Sequence, residues 1–171
     1  MKITTEDIFM HKSRSSAPNS TDISIAVIFV GVQGAGKTEF YSRYFSGAYT
    51  RIALSEIGTR QAERAIIRDC ISQGVSYVLD SQNLTREDRR RYFSRAREAG
   101  YRIIGYYFPS TLEESLARAR LTYDKNAQRR QKKAFDRLEP PEYNEGYDEL
   151  YTVTAGYGGE FTAERMKREQ L

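Results

Sequence analysis

A glycine-rich segment that directly follows an apolar run constrains the fold of this chain more than any other feature. The run, 23–30, has the sequence Ile-Ser-Ile-Ala-Val-Ile-Phe-Val and is typical of a strand buried on both faces. The next residues, 31–38, read Gly-Val-Gln-Gly-Ala-Gly-Lys-Thr and match G-x-x-x-x-G-K-[ST] at every defined position. A helix is predicted over 38–45. This order of strand, loop and helix is the context in which the pattern binds nucleotide phosphates.

The residue types of this loop predict how it would hold a triphosphate. Glycines let the backbone curl so that successive amide hydrogens point at phosphate oxygens, and the helix that follows adds its positive end. Lys37 would reach the β- and γ-phosphates, and the Thr38 hydroxyl would ligate Mg²⁺. The alternative is a glycine turn that only joins a strand to a helix. The nucleotide-binding residues predicted here are Gly31, Gln33, Gly34, Ala35, Gly36, Lys37 and Thr38.

The rest of the chain alternates between strand and helix patterns. Strands are predicted at 51–54, 77–80, 101–108 and 149–153, and helices at 59–73, 85–99 and 111–120. Thr85 and Thr111 each open a capping box. This alternation predicts an α/β fold with three layers, in which helices flank a five-stranded parallel sheet. The predicted division is an amino-terminal arm (1–22), a P-loop NTPase or kinase-like domain (23–155) and a carboxy-terminal tail (156–171) with a short helix from Thr162.

Two features outside the loop are predicted to complete a phosphate site. Asp80 ends a strand expected beside the loop strand and is a candidate magnesium ligand, although it could instead be a turn or capping aspartate before Ser81. The segment 118–138 is strongly basic and is predicted to form a helical lid whose arginines, Arg120 first and Arg118 second, stabilise a transferring phosphoryl group. A solvated helix face is the alternative. Its basic residues are Arg118, Arg120, Lys125, Arg129, Arg130, Lys132, Lys133 and Arg137, opposed by Asp124 and Asp136.

A second basic cluster lies on the helix that follows Asp80. Acidic residues alternate with its arginines, so it is predicted to form a mixed-sign surface, with a nucleic-acid contact as the alternative. Its members are Arg86, Arg89, Arg90, Arg91, Arg95 and Arg97.

Composition limits the classes of function. The net charge of +4 favours an anionic partner. A single histidine, His11, argues against histidine acid–base chemistry, and the single cysteine, Cys70, fits a reducing cytoplasm. No apolar run approaches the roughly 20 residues that span a bilayer, so no membrane partner is expected. The oligomeric state is left open.

The residues described above resemble the polynucleotide 5′-hydroxyl kinases and their small P-loop kinase relatives. The resemblance extends from 25 to 153 and has four parts in the same order. These are the loop 31–38 followed by Phe40, the strand 78–83 ending in Asp-x-x-Asn, the helix 86–99, and the lid helix 112–120 with the turn 145–149. The family transfers the γ-phosphoryl group of ATP, with Mg²⁺, to a 5′-hydroxyl end of RNA or DNA.

This chain departs from the family at the acceptor side. The family carries Arg-Asp after its second strand, and the aspartate takes the proton of the acceptor hydroxyl. Here Leu54 and Ser55 stand at those positions. Glu56, one residue later, is the predicted replacement base, unless it only caps the next helix. Ser55 and Arg60 are predicted to bind the acceptor.

The sequence therefore predicts an ATP- and Mg²⁺-dependent kinase that acts on a 5′-hydroxyl end of RNA or DNA, with Lys37, Glu56 and Arg120 as catalytic residues. Two alternatives stay open. One is a small-molecule kinase on the same scaffold. The other is a nucleotide-binding or regulatory module with weak or no transferase activity.

Overall fold

A computed structural model of the chain describes residues 2–3, 23–156 and 159–168. The α/β class predicted from the sequence is confirmed, because helices flank a mostly parallel sheet on both faces. The sheet contains seven strands. They are β1 (Lys2–Ile3), β2 (Ile25–Val30), β3 (Thr50–Ile52), β4 (Tyr77–Leu79), β5 (Arg102–Tyr107), β6 (Glu149–Ala155) and β7 (Phe161–Arg165).

The strand order is β1-β7-β6-β5-β2-β4-β3. The five strands from β6 to β3 run parallel, and β7 and β1 extend the sheet with antiparallel pairing. The sheet is therefore larger than predicted. The helix predicted from Thr162 is wrong, because this segment forms β7, in which Ala163 pairs with Val153 and is buried in the core. Residues 4–22 of the predicted arm lie outside the described residues.

The described helices are short and follow the strands closely. The described residues also include a turn of 3₁₀ helix at Tyr143–Glu145. The α-helices are α1 (Lys37–Tyr44), α2 (Leu54–Ile57), α3 (Arg60–Gln73), α4 (Arg86–Arg90), α5 (Phe93–Glu98), α6 (Leu112–Arg118) and α7 (Lys125–Asp136). Among these, no helix is long and apolar enough to cross a membrane.

Alternate side chains of β2 face two separate hydrophobic clusters. Val27 and Phe29 pack with Phe40 of α1, whereas Ala26 and Ile28 pack with residues of α3 and α5. This period of two, with apolar residues on both faces, explains the unbroken apolar run in the sequence. It also fixes β2 at the centre of three layers.

The helix predicted over 85–99 is interrupted. Its capping box at Thr85 is present, but α4 ends at Arg90 and α5 begins at Phe93. The amide of Tyr92 donates to the carbonyl of Arg89, a three-residue spacing that tightens the turn. Tyr92 is buried there, so a tertiary contact overrides the helical pattern.

The connections after β2 and β4 leave the sheet in opposite directions. The segment after β2 forms α1 on one face, and the segment after β4 forms α4 and α5 on the other. In open parallel sheets, such a divergence leaves a crevice at the carboxyl ends of the strands. The predicted loop and Asp80 both lie at this edge.

Candidate functional site

The loop between β2 and α1 adopts a conformation that requires glycine. Gly34 and Gly36 have φ angles of 78° and 97°, in the left-handed region, and Gly36 is the residue from which α1 begins. A Cβ atom at position 34 would lie 2.3 Å from the carbonyl oxygen of Ser115. The glycines thus let the loop curl and let α6 pack directly against it.

Lys37 folds back over this loop. Its Nζ donates hydrogen bonds to the carbonyl oxygens of Gly31, at 2.8 Å, and Val32, at 2.7 Å. An ammonium group carries three N–H donors, so one remains for a bound anion. Burial lowers the pKa of Lys37 to about 8, and the charge of Asp80 opposes part of that shift. The loop therefore fixes the position of a cation whose charge is sensitive to its surroundings.

Thr38 and Asp80 meet at the edge of the sheet. The Thr38 hydroxyl, in the first turn of α1, donates a 3.0 Å hydrogen bond to Asp80 Oδ2. Asp80 follows β4 and is buried, and its amide donates to the carbonyl of Ile52. Its carboxylate does not cap α4, because Thr85 has that role. Hydroxyl and carboxylate oxygens are the ligands that Mg²⁺ prefers, so the pair suits the predicted metal position.

Arg51 also reaches Asp80, and the sequence analysis missed it. Its Nε lies 2.7 Å from Asp80 Oδ2, and its NH1 lies 2.7 Å from Glu56 Oε1. The guanidinium lies 5.6 Å from the ring centre of Tyr41. The available signal was a charged residue within the short strand predicted at 51–54.

The predicted acceptor residues lie on and just after α2. The amide of Leu54 donates to the Ser81 hydroxyl at 3.2 Å, which ties α2 to the segment after β4. The Glu56 side chain is 65% exposed. It does not cap the next helix, because the Thr59 side chain caps α3. Glu56 is therefore accessible from the cleft and is held by Arg51.

Arg60 is oriented by a buried carboxylate. Its NH1 donates to both oxygens of Glu63, at 3.0 and 2.9 Å, and to the hydroxyl of Tyr92 at 2.7 Å. The Tyr92 hydroxyl in turn donates to Glu63, whose side chain is 1% exposed. The Glu63 carboxylate and the Tyr92 hydroxyl thus fix the Arg60 guanidinium at the start of α3.

A cleft of about 920 Å³ brings most of the predicted residues together. Gly31 and Ala35 belong to the same loop but are not part of the wall. A separate cleft of about 890 Å³ lies between α4 and 138–145. None of the residues predicted to act in catalysis or to bind nucleotide, acceptor or metal lines it. The predicted residues that line the first cleft are Gln33, Gly34, Gly36, Lys37, Thr38, Ser55, Glu56, Arg60, Asp80 and Arg118.

The two predicted lid arginines are placed differently. Arg118, at the end of α6, lines the cleft. Arg120 is exposed, has a φ of 56° and is not part of the wall. The basic helix α7 touches the loop through Gln131, whose side-chain amide donates to the carbonyl of Gln33 at 2.7 Å. This contact places the helix beside the loop that α6 also covers.

One member of the second basic cluster is not at the surface, contrary to expectation. The Arg89 side chain is 0% exposed and makes two 2.7 Å contacts with Glu145. Its NH1 donates to the carbonyl oxygens of Asn83, Leu84 and Glu139. Arg89 therefore binds the turn before β6 to the core and is not free to contact a ligand.

No protein-family model matches the chain, and no curated protein is significantly similar to it. Within the described ranges, no group of three or more His, Cys, Asp and Glu side chains is arranged to hold a metal ion. The functional inference therefore depends on the geometry of the cleft.

Proposed function

We propose that this protein is an ATP- and Mg²⁺-dependent phosphotransferase of the P-loop kinase type, acting on a hydroxyl acceptor at the 5′ end of a nucleic acid. The observation that carries the proposal is the grouping of Lys37, Thr38 and Asp80 at one edge of the sheet. A tethered ammonium, a helix beginning at a glycine loop, and a hydroxyl–carboxylate pair are the parts from which P-loop phosphate sites are built.

The residues of the cleft fit a magnesium nucleotide. The volume of about 920 Å³ lies in the range of small-molecule sites. Mg²⁺ in nucleotide sites is held by one or two protein oxygens together with phosphates and water, so Thr38 and Asp80 suffice without a larger carboxylate cluster. When bound, the metal would neutralise charge on the phosphates. The loop amides and Lys37 would bind the β- and γ-phosphates.

The acceptor side supplies the groups for a transfer step. Glu56 is an exposed carboxylate of the cleft, held by Arg51, and we assign it the acceptor hydroxyl proton. As the hydroxyl oxygen bonds to the γ-phosphorus, the bond to the β–γ bridging oxygen breaks and ADP leaves. Arg60 and Ser55 would orient the acceptor. Arg118, rather than Arg120, is the lid arginine that lines the cleft and would stabilise the transferring group.

The charges around Arg60 favour a polyanionic acceptor. Arg60 also lines an adjoining pocket of about 500 Å³, which carries four more arginines. Only Glu63 and Glu87 oppose them among the residues that line it, and Glu63 is buried beneath Arg60. Such a surface attracts a phosphate backbone. The four arginines are Arg64, Arg90, Arg91 and Arg95.

The test is transfer of label from γ-labelled ATP to a panel of acceptors. The panel contains 5′-hydroxyl RNA and DNA oligonucleotides, the same oligonucleotides with a 5′-phosphate, and small alcohols. We expect label on the 5′-hydroxyl oligonucleotides, loss of transfer in Lys37→Ala, and a KM that rises steeply with salt. Label on small alcohols alone would show that the acceptor is a small molecule and not a nucleic-acid 5′ end. Nucleotide binding without transfer to any acceptor would favour a binding module.

A further inference from the structure

We propose that Arg51 and the magnesium ion compete for Asp80, and that Arg51 exchanges this carboxylate for the γ-phosphoryl group when the metal nucleotide binds. The inference rests on the proposed function, because it assigns Arg51 a place in the same cleft. It goes beyond the loop, the metal pair and the acceptor residues, none of which requires an arginine in β3.

The first observation is that a single oxygen of Asp80 is shared by two donors. Asp80 Oδ2 accepts from the Thr38 hydroxyl at 3.0 Å and from Arg51 Nε at 2.7 Å. The Asp80 side chain is only 2% exposed, so water contributes little to stabilising its charge. Arg51 is therefore a cation in direct contact with Asp80, at the position where the metal, or water bound to it, would need the same oxygen.

The second observation is that Arg51 links the two sides of the cleft. Its NH1 holds Glu56 at 2.7 Å, while its NH2 lies 3.5 Å from the Thr38 hydroxyl. The guanidinium is thus close to both the metal pair and the proposed base. Lysine would not reproduce this, because an ammonium is a point charge that lacks the planar fork.

These contacts indicate how Arg51 would respond to a bound metal nucleotide. A divalent ion at Thr38 and Asp80 would supply the positive charge that Arg51 supplies in the free protein. The contact between Arg51 Nε and Asp80 would then no longer be needed to balance the charge of that carboxylate. Arg51 lines the cleft, and its side chain is 23% exposed, so it has room to turn. A γ-phosphoryl group bound beside Thr38 would then be an anion, besides Glu56, that the guanidinium can contact, and guanidinium groups bind phosphoryl oxygens in pairs.

The test uses binding and unfolding, so it does not depend on turnover. Wild type, Arg51→Ala and Arg51→Lys are titrated with Mg²⁺ at a fixed concentration of ADP, which lacks the γ-phosphoryl group, and again with a non-hydrolysable ATP analogue. Arg68→Ala, an exposed arginine of α3 outside the cleft, is the matched control. With ADP we expect the Mg²⁺ midpoint of Arg51→Ala to fall about fivefold or more, since a competing cation is removed. With the analogue it should fall less, since Arg51→Ala also loses the contact with the γ-phosphoryl group. Arg51→Lys should lie between wild type and Arg51→Ala.

Melting temperatures separate this role from a purely structural one. Without ligand, Arg51→Ala should melt below wild type, because Asp80 loses its ion-pair contact with Arg51. Addition of Mg²⁺ and ADP should raise its melting temperature by more than that of wild type, because the ion would replace the missing charge. Arg68→Ala should behave as wild type in both conditions. If Arg51→Ala is too unstable to purify, Arg51→Gln replaces it, with the same expected fall in midpoint.

Two results would overturn the proposal, and they differ from each other. With ADP, an unchanged or higher Mg²⁺ midpoint in Arg51→Ala, with normal binding by wild type, would show that Arg51 does not compete with the metal. The proposed function would then stand without the exchange. If wild type binds no analogue at any Mg²⁺ concentration, the proposed function fails and the exchange fails with it.

Discussion

Thr38 and Asp80, 42 positions apart in the sequence, are joined by a 3.0 Å hydrogen bond at the carboxyl edge of the sheet. The contact connects the first turn of α1 to the end of β4 and places a hydroxyl and a carboxylate beside Lys37. It is the structural basis for assigning the metal to this position.

Replacement of Asp80 by asparagine should uncouple nucleotide binding from magnesium. The amide side chain would keep the size of the carboxylate but lose the charge that a divalent ion needs. We expect the affinity for Mg²⁺·ATP to fall by about tenfold to a hundredfold, as it does when a metal's supporting ligands are changed. Isothermal titration calorimetry with and without EDTA measures this.

Asp69→Asn, an exposed aspartate on α3, provides the control and should bind as wild type. If Asp80→Asn and wild type bind ATP with the same affinity in the presence of Mg²⁺, Asp80 is not a metal ligand.

The affinity for ATP should fall at alkaline pH, because Lys37 loses its proton there. Burial holds its pKa at about 8 in the free protein, and bound phosphates favour the ammonium form and so raise that pKa. Binding therefore takes up a proton when the pH exceeds 8. The affinity should be nearly constant below that pH and fall by up to about tenfold per unit above it. Calorimetry in buffers of different ionisation enthalpy measures the proton uptake.

Lys37→Arg gives a direct comparison, because arginine stays charged throughout this range. The affinity of Lys37→Arg for ATP should be the same at pH 7 and pH 9, because residue 37 then neither gains nor loses a proton in this range. A wild-type profile that is equally flat would contradict the role of the Lys37 charge.

The parts of this site that the sequence predicts are encoded locally. The loop glycines, Lys37 and Thr38 lie within one short pattern, and the capping boxes at Thr85 and Thr111 span only four residues each. Such patterns fix backbone conformation through neighbours in the chain, so they are readable without knowing the fold. Asp80 could be placed because it ends a recognisable strand.

The parts that were missed depend on distant partners. Arg51 is positioned by Asp80, which lies 29 residues away in the sequence. Arg89 is buried against its partner Glu145, which lies 56 residues away. Strand β7 is short and mostly polar, and it forms because β6 offers an edge with which to pair. Nothing near these residues in the chain identifies their partners. Arg89 was therefore predicted at a mixed-sign surface and the segment from Thr162 in a helix, and Arg51 was given no role in the site.

Glu56 should affect turnover much more than nucleotide binding. As the proposed base, its carboxylate acts on the acceptor hydroxyl and leaves the phosphate loop untouched. Glu56→Gln should lower kcat for a 5′-hydroxyl oligonucleotide by about a hundredfold or more, the range of general base contributions. The Kd for ATP should change by less than about twofold, because an exposed side chain outside the loop is altered.

The matched control is Glu98→Gln, an exposed glutamate of α5 that lines none of the described clefts. Its kcat should equal that of wild type. An unaltered kcat in Glu56→Gln, alongside a Lys37→Ala variant that transfers nothing, would mean that another group accepts the proton.

Arg89 should be a stability residue. Removal of its side chain leaves the buried Glu145 carboxylate without its cationic partner and takes one donor from each of the carbonyl oxygens of Asn83, Leu84 and Glu139. Breaking a buried ion pair typically costs about 3–5 kcal/mol, so Arg89→Ala should lower the free energy of unfolding by that order. Urea denaturation measures the change.

The neighbouring Arg90, whose side chain is 82% exposed, supplies the comparison. Arg90→Ala should alter the free energy of unfolding by about 0.5 kcal/mol or less. Equal effects of the two substitutions would contradict the structural role of the Arg89–Glu145 pair.

We infer that the loop 31–38 binds the triphosphate of ATP. Calorimetric titration of the wild-type chain and Lys37→Ala with ATP in the presence of Mg²⁺ tests this assignment. We expect wild type to bind one ATP per chain and Lys37→Ala to bind it at least about tenfold more weakly, since a charge-assisted contact to phosphate is lost. No binding by wild type, or equal binding by both proteins, would contradict the account.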